Sequence, residues 1–409
     1  MTAPTPAVLD LLGSLAPDQL PAYVYDLAAL RTHAAAVRAA LPAPVELYYA
    51  AKANPEPPLL AALAPYVDGY EVSSGGELAH VAATVPGRRL AFGAPGKTPA
   101  ELAAARAAGV HRVHVESLHE LRMLGEPTAA SGPDGGDSRT DVLLRVNLPV
   151  ADGSLTGSSL AMGGRPAPFG LDPADAAEAA RLLAGGAYPR LRLRGFHAHL
   201  ASGLDAPRLL DVARSVVAGA LRLADRAGLG TRGLEVNVGG GMAVDYAAPE
   251  VRFDWRGYGA GLGRLAAGHP GLTLRVEPGR ALAAYCGWYA TEVLDVKRSH
   301  GEEFAVVRGG THHLRTPATK GHDQPCTVHP APRPWPHPWP RPAARGSEVT
   351  VAGQLCTPKD VLARGVRAAG LRAGDLVVFS LAGAYAWNIS HHGFLMHPHP
   401  RFHFLDGPG

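Results

Sequence analysis

The sequence predicts an α/β protein: a (β/α)8 TIM barrel with a C-terminal all-β domain. Three observations point there. Between residues 45 and 280, short β-like runs alternate with Ala/Leu-rich helical stretches, and the runs number eight. Polar residues collect at the ends of those runs. After Arg280 the helical patterning stops and turn-punctuated strands follow. Eight βα repeats are the sequence mark of a barrel, whereas a doubly wound sheet does not usually need eight strands.

The β-like runs are 45–51, 69–72, 90–93, 112–115, 141–146, 193–200, 234–238 and 272–277. Helical patterns fill the gaps, for example 101–108, 174–183 and 207–227. Beyond 280, strands are expected at 288–296, 303–308, 348–352 and 375–379. Residues 330–340 carry proline at every second position, so they form a loop or extended arm and not a central strand or helix. The polar, Gly-rich segment 131–137 reads as a surface insertion.

Composition narrows the function. Charged residues make up 18% of the 409 and hydrophobic ones 46%, enough for a large core. A net charge of +3 without a Lys/Arg block argues against nucleic acid as a partner. Cys286, Cys326 and Cys356 lie far apart, which suggests neither a disulfide framework nor a zinc site. Cys286 is expected in the core and Cys326 in a loop. The first residues lack a basic and apolar leader, and no apolar run is long enough to span a membrane. The expected location is the cytoplasm.

In a TIM barrel the active site lies at the C-terminal strand ends. The first run ends at Lys52, before the Asn54-Pro55 turn; a desolvated amine there can form a Schiff base with an aldehyde. The second ends at Glu71, followed by Ser73-Ser74-Gly75-Gly76-Glu77. The fifth gives Arg145 and Asn147, and the sixth His197 and His199, then Ser202-Gly203. The seventh gives Gly239-Gly240-Gly241 and the eighth Glu277-Pro278-Gly279-Arg280. The third and fourth ends offer no assignable group. Each of these groups has a physical job in a pyridoxal 5'-phosphate site. Glycines let backbone N–H groups approach a phosphate, and an arginine adds charge. A carboxylate can keep a pyridine nitrogen protonated, which makes the ring a strong electron sink. A histidine can stack on the ring.

At these motifs the chain resembles the fold-type III pyridoxal phosphate enzymes. That alanine racemase-like group includes diaminopimelate and ornithine decarboxylases. The resemblance runs from Ala22-Tyr23-Val24-Tyr25-Asp26 through the motifs above to Cys356 and Gly383-Ala384-Tyr385. It implies a barrel over 27–280, with 1–26 and 281–409 forming the β domain. By position, Lys52 would carry the Schiff base, Glu71 orient it, and His199 stack on the ring. Ser202, Gly239, Gly240, Gly241, Arg280 and Tyr385 would hold the phosphate, and Arg145 and Gly279 would also bind cofactor. Glu277 would pair with the pyridine nitrogen. Cys356 would donate the proton after CO2 leaves, reaching a neighbouring subunit's site in a homodimer with shared active sites. Racemases of this fold place an arginine against the ring nitrogen, so Glu277 favours decarboxylation.

Two departures bear on substrate. The residue after the catalytic cysteine is acidic in the decarboxylases of basic amino acids, where it reads the distal amine; here it is Thr357. The stretch Gly309-Gly310-Thr311-His312-His313-Leu314-Arg315-Thr316-Pro317 carries basic groups where acidic ones would be expected. With residues 356–360 and 383–400, it resembles the decarboxylases of staphyloferrin B siderophore biosynthesis, which turn citryl-L-2,3-diaminopropionate into a citryl-ethylenediamine. Arg315 is the candidate for a substrate carboxylate, with His312, His313 and Thr357 beside it. The alternatives are a diaminopimelate or other diamino-acid decarboxylase, which Thr357 opposes, and an inactive homologue that binds a partner protein. Retention of Lys52, His199, Glu277 and Cys356 together opposes the latter. No metal is expected: His397, His399 and His403 suit a surface loop better than a metal site.

Overall fold

The computed structural model describes residues 3–126, 139–149, 160–161, 163–315, 321–331 and 333–407. The insertion expected at 131–137 lies outside these residues, as do Thr316 and Pro317. The chain divides into two units. One comprises Met1–Thr32, Val244–Arg252 and Arg280–Gly409, and the other His33–Ala243 and Phe253–Gly279. Residues 27–32, 244–252 and Arg280, expected within the barrel, group with the mostly-β unit.

The chain begins with α1 (Pro6–Ser14), β1 (Ala22–Asp26) and α2 (Leu27–Ala40). The barrel region then runs through β2 (Val45–Ala50), α3 (Pro57–Leu63), β3 (Gly69–Val72), α4 (Gly75–Thr84), β4 (Arg89–Phe92), α5 (Pro99–Ala107), β5 (Arg112–Val115), α6 (Leu118–Gly125) and β6 (Thr140–Arg145). After the two-residue strand β7 (Leu160–Ala161) come α7 (Pro173–Ala184), β8 (Leu191–His197), β9 (Ala201–Ser202), α8 (Ala206–Arg226), β10 (Glu235–Asn237), α9 (Trp255–Ala267) and β11 (Thr273–Val276). Eight of these strands close in the order β10-β11-β2-β3-β4-β5-β6-β8, every pairing parallel. The eight sequence-expected runs are the eight barrel strands. β7 and β9 pair antiparallel outside the ring.

Local sequence sets the helix starts. Ser74 and Ser117 accept the backbone N–H three residues on, and Thr98 and Glu101 form a reciprocal capping box ahead of Pro99. Each cap contributes about 1 kcal/mol. The barrel interior is layered by the two-residue strand period. Arg112, Glu235 and Arg275 form an ionic floor. One layer up, on the same strand faces, lie His114, Asn237 and Glu277.

The other unit continues with α10 (Arg280–Ala283), β12 (Gly287–Ser299), β13 (Glu302–Val307), β14 (Cys326–His329), β15 (Glu348–Ala352), β16 (Val361–Arg367), β17 (Leu376–Phe379) and β18 (Arg401–Leu405). Six strands follow the order β14-β17-β12-β13-β15-β16, and β1 pairs with β12 and β18. Val8 and Leu12 of α1 pack with Val24, Trp288, Ala290 and Val378. The sequence reading passed over β14, β16 and β18. Cys326 is therefore a strand residue, not a loop residue; burial pushes its thiol up to about 12. No helix among the described residues is long and apolar enough to cross a membrane.

Asp360, nearly fully buried, ties two loops of this unit together. Its Oδ1 accepts from Thr311 N (2.6 Å) and Thr311 Oγ1 (2.8 Å), and its Oδ2 from Leu355 N (2.8 Å). Asp360→Ala leaves three buried donors unpaired. We expect it to destabilise this unit by roughly 3 kcal/mol, read as a lower melting temperature by calorimetry. An unchanged melting temperature would show that the loops are held by other means.

Candidate active site

Lys52 sits on a single 3-10 turn directly after β2. Its Nζ donates to Glu71 Oε2 (2.5 Å) and to Ser73 Oγ (3.2 Å), and Ser73 Oγ donates to Glu71 Oε1 (2.9 Å). The amine is thus aimed by two groups from the end of β3. The Glu71 side chain is only 7% exposed whereas that of Lys52 is 45% exposed, so the amine stays reachable.

Across the barrel mouth, His199 accepts Gly240 N–H at Nδ1 (3.1 Å), and its Nε2 lies 3.4 Å from Ser202 Oγ. An accepting Nδ1 places the ring proton on Nε2. Burial, then the charges of Arg145 and Lys52, hold His199 down to about 3, so it is a neutral, fixed ring. The Gly239–Gly241 turn cannot carry side chains. A Cβ on Gly240 would lie 2.4 Å from Glu277 O, and one on Gly241 2.3 Å from Ala201 O. Backbone N–H groups in so tight a turn can close on an anion.

Glu277, at the end of β11, accepts Asn237 Nδ2–H at 2.6 Å. The amide cannot be the other way round, because Asn237 Oδ1 accepts Gly239 N–H (2.9 Å). One buried side chain therefore links the glycine turn to the carboxylate. Burial, with Glu71 adding to it, pushes Glu277 up to about 7.

The fourth strand end, to which the sequence reading assigned nothing, supplies His114 and Glu116. Glu116 accepts Arg145 Nη1 (2.8 Å), Ala94 N (3.1 Å) and Gly170 N (3.0 Å). It fixes Arg145, whose guanidinium also lies over Phe169 (5.2 Å). Arg112, His114 and Glu116 alternate at a spacing of two, a polar stripe on one strand face. That stripe was the available signal for both residues. Asn237 was hidden inside a run read only as apolar.

The mostly-β unit holds the remaining residues except Gly279, which ends the barrel unit. Arg280 donates to Tyr246 Oη (2.6 Å) and its guanidinium lies over the Tyr385 ring (4.5 Å). Gly279 immediately precedes it. Tyr385 takes φ +49°, a left-handed backbone uncommon for a side-chain-bearing residue. Cys356 is exposed and Thr357 half-buried, both on the loop that Asp360 anchors. Arg315 is exposed, its backbone N–H donating to Ser390 Oγ (3.1 Å). His312 and His313 are buried against each other with rings 3.9 Å apart. Burial, then neighbouring histidines, holds them down to about 4 and about 3. They are neutral, so the positive charge expected of this stretch is carried by Arg315.

The family model for the pyridoxal-dependent decarboxylase, pyridoxal binding domain, matches residues 27–284. The chain belongs to this family. It is 38% identical over 390 residues to the 2-[(L-alanin-3-ylcarbamoyl)methyl]-2-hydroxybutanedioate decarboxylase of Staphylococcus aureus, covering 94% of this chain and 93% of that one. It is 29% identical over 400 residues to the L-glutamyl-[BtrI acyl-carrier protein] decarboxylase of Niallia circulans, covering 93% and 88%. Among solved structures, diaminopimelate decarboxylase from Helicobacter pylori, complexed with L-lysine, superposes with a TM-score of 0.81. At 22% identity it covers 97% of this chain and 94% of that one, a likeness of fold.

This decarboxylase is therefore a pyridoxal 5'-phosphate-dependent carboxy-lyase on an alanine racemase-like barrel. Its own barrel residues suit that cofactor. The mouth offers a reachable amine at Lys52, a glycine turn that no side chain could share with a phosphate, and a buried carboxylate at Glu277.

Proposed function

We propose that this decarboxylase removes the α-carboxylate of citryl-L-2,3-diaminopropionate to give a citryl-ethylenediamine, in a staphyloferrin B-like siderophore route. The observation that carries the reading is the near full-length likeness to the Staphylococcus aureus enzyme. That enzyme's substrate joins an alanin-3-yl amine to a hydroxybutanedioate through an amide. Thr357 supports it, since a free distal ammonium would need an anion at that position. Arg315 suits the opposite charge, a distal carboxylate.

The residue roles carry over from the family resemblance. Lys52 Nζ would hold the cofactor covalently, with Glu71 and Ser73 keeping that nitrogen oriented. His199 would pack on the ring. Ser202, Gly239, Gly240, Gly241, Arg280 and Tyr385 would take the phosphate, with Arg145 and Gly279 as further contacts, and Glu277 would pair with the pyridine nitrogen. Bound pyridoxal phosphate supplies an electron sink for the pair left on Cα when the Cα–carboxylate bond breaks and CO2 departs. Cys356 Sγ–H then delivers a proton to Cα, and the product leaves as an amine. Following the family resemblance, we infer a homodimer in which Cys356, Thr357 and Arg315 serve a neighbouring copy's barrel site. His312 and His313 enter as neutral hydrogen-bonding groups.

Two measurements test this. CO2 release should be faster with citryl-diaminopropionate than with diaminopimelate, ornithine or lysine; preference for a free diamino acid would overturn the substrate. Cys356→Ala should slow turnover on the order of 10²-fold or more while cofactor stays bound, the range for a lost general acid. An unchanged rate and product would remove Cys356 from the reaction.

A further inference from the structure

Glu277 is surrounded by nitrogen. Besides the Asn237 amide on Oε1 at 2.6 Å, His114 Nε2 lies 4.0 Å from Oε1 and His197 Nε2 lies 3.7 Å from Oε2. The two imidazoles face each other at 4.4 Å between centroids, tilted by 41°. Both are buried, and all four of their ring nitrogens lack a hydrogen-bond partner among the described residues. Burial as the first cause holds both well below the ordinary histidine range. Each ring is therefore neutral, with one N–H to give and one lone pair to accept.

We propose that His114 and His197, with Asn237, are positioning residues that act through Glu277: their N–H groups face its carboxylate and keep it ionised, so that the proton stays on the cofactor's pyridine nitrogen. This rests on the reading that Glu277 faces that nitrogen. A carboxyl buried without donors is pushed toward the neutral acid, as burial does to Glu277. A neutral acid beside the ring would compete for the proton it is meant to leave there. Donors reverse the preference, because hydrogen bonds to the anion favour the anion. The other charged groups around Glu277 do not suffice. Glu71 opposes its ionisation, while Lys52 and Arg275 favour it more weakly than burial opposes it. With a donor orientation at Nε2, the small closure needed at 3.7 and 4.0 Å gives Oε2 one hydrogen bond and Oε1 a second.

The test reads the ring nitrogen, not turnover. Holoenzyme reconstituted with pyridine-15N pyridoxal phosphate should show a pyridinium resonance that does not titrate between about pH 6 and 9. A resonance that titrates near neutrality in the unsubstituted protein would overturn the proposal without any variant. His197→Leu and His114→Leu should move the signal toward unprotonated pyridine and weaken cofactor retention about tenfold. His197→Asn, which keeps an N–H donor, should restore much of both. Leucine variants that fold and keep a full pyridinium signal, while Glu277→Gln loses it, would sink the shell and leave Glu277's role standing. If Glu277→Gln also keeps the signal, the reading of Glu277 falls and the proposal with it. Two histidines and a carboxylate are also a zinc ligand set. Stoichiometric zinc in the holoenzyme, lost in His197→Asn, would likewise overturn the proposal.

Discussion

Lys52→Ala is expected to give a folded, colourless protein whose decarboxylation is slower by at least about 10³-fold. The fold does not lean on this side chain. Lys52 is 45% exposed, and Ser73 Oγ still donates to Glu71 when it is gone. The chemistry does depend on it, because in the barrel mouth Lys52 is the amine that Glu71 and Ser73 aim. Lys52→Arg should fail almost as badly, since a guanidinium remains protonated and is no nucleophile. Borohydride reduction of the native protein followed by mass spectrometry should place the cofactor on Lys52, and added methylamine should restore part of the activity of Lys52→Ala. Activity within tenfold of the native enzyme, with label on another lysine, would remove Lys52 from its role.

How much of this was legible in the sequence depended on the period of each element. The barrel strands are largely buried, so they stand out as apolar runs between helical stretches, and all eight could be read. Groups just past a strand end, such as Lys52, His199 and Glu277, were visible because a polar residue interrupts an apolar run there. Groups inside a strand were harder. Asn237 lies within a strand, where one polar residue looks like ordinary alternation, and His114 belongs to the Arg112-His114-Glu116 stripe, whose spacing of two reads the same way. In the second unit, β14 and β18 are half-buried and preceded by proline, and β16 is interrupted by Gly365, so their pattern resembled loop. Charge was also misread there. The pair His312-His313 looks basic in sequence, but burial strips it of charge.

The floor of the barrel should dominate acid stability, and Glu235→Ala should expose this. Glu235 is 7% exposed at the side chain and joins two buried cations. Arg112 Nε donates to its Oε2 at 2.8 Å, and Arg275 Nη2 donates to the same oxygen at 3.0 Å. Arg275 is itself held by Glu46 (2.9 Å) and lies over the Tyr48 ring (4.5 Å). Burial would raise the carboxyl of Glu235, but the Arg112 hydrogen bond, then the charges of Arg275 and Arg112, override it and hold it at about 2. Removing the carboxylate leaves two guanidinium groups facing each other in the interior, a loss of roughly 3–5 kcal/mol. The pH dependence has a definite sign. A depressed carboxyl contributes stability that is complete above its unfolded value of 4.5 and disappears as pH falls through about 2. For this one group the contribution is roughly 3 kcal/mol. In calorimetric scans the native melting temperature should therefore drop between about pH 4.5 and 2. Glu235→Ala should melt far lower near neutrality and lose less over that range, so the two curves converge in acid. Parallel curves would mean that another acid-sensitive group governs the transition and that the ionic floor contributes little. Convergence would also explain why a barrel buries charge at its closed end. Lys52, Glu71 and Glu277 must stay adjustable for chemistry, so rigidity is supplied by the ionic layer beneath them, one layer below Glu277.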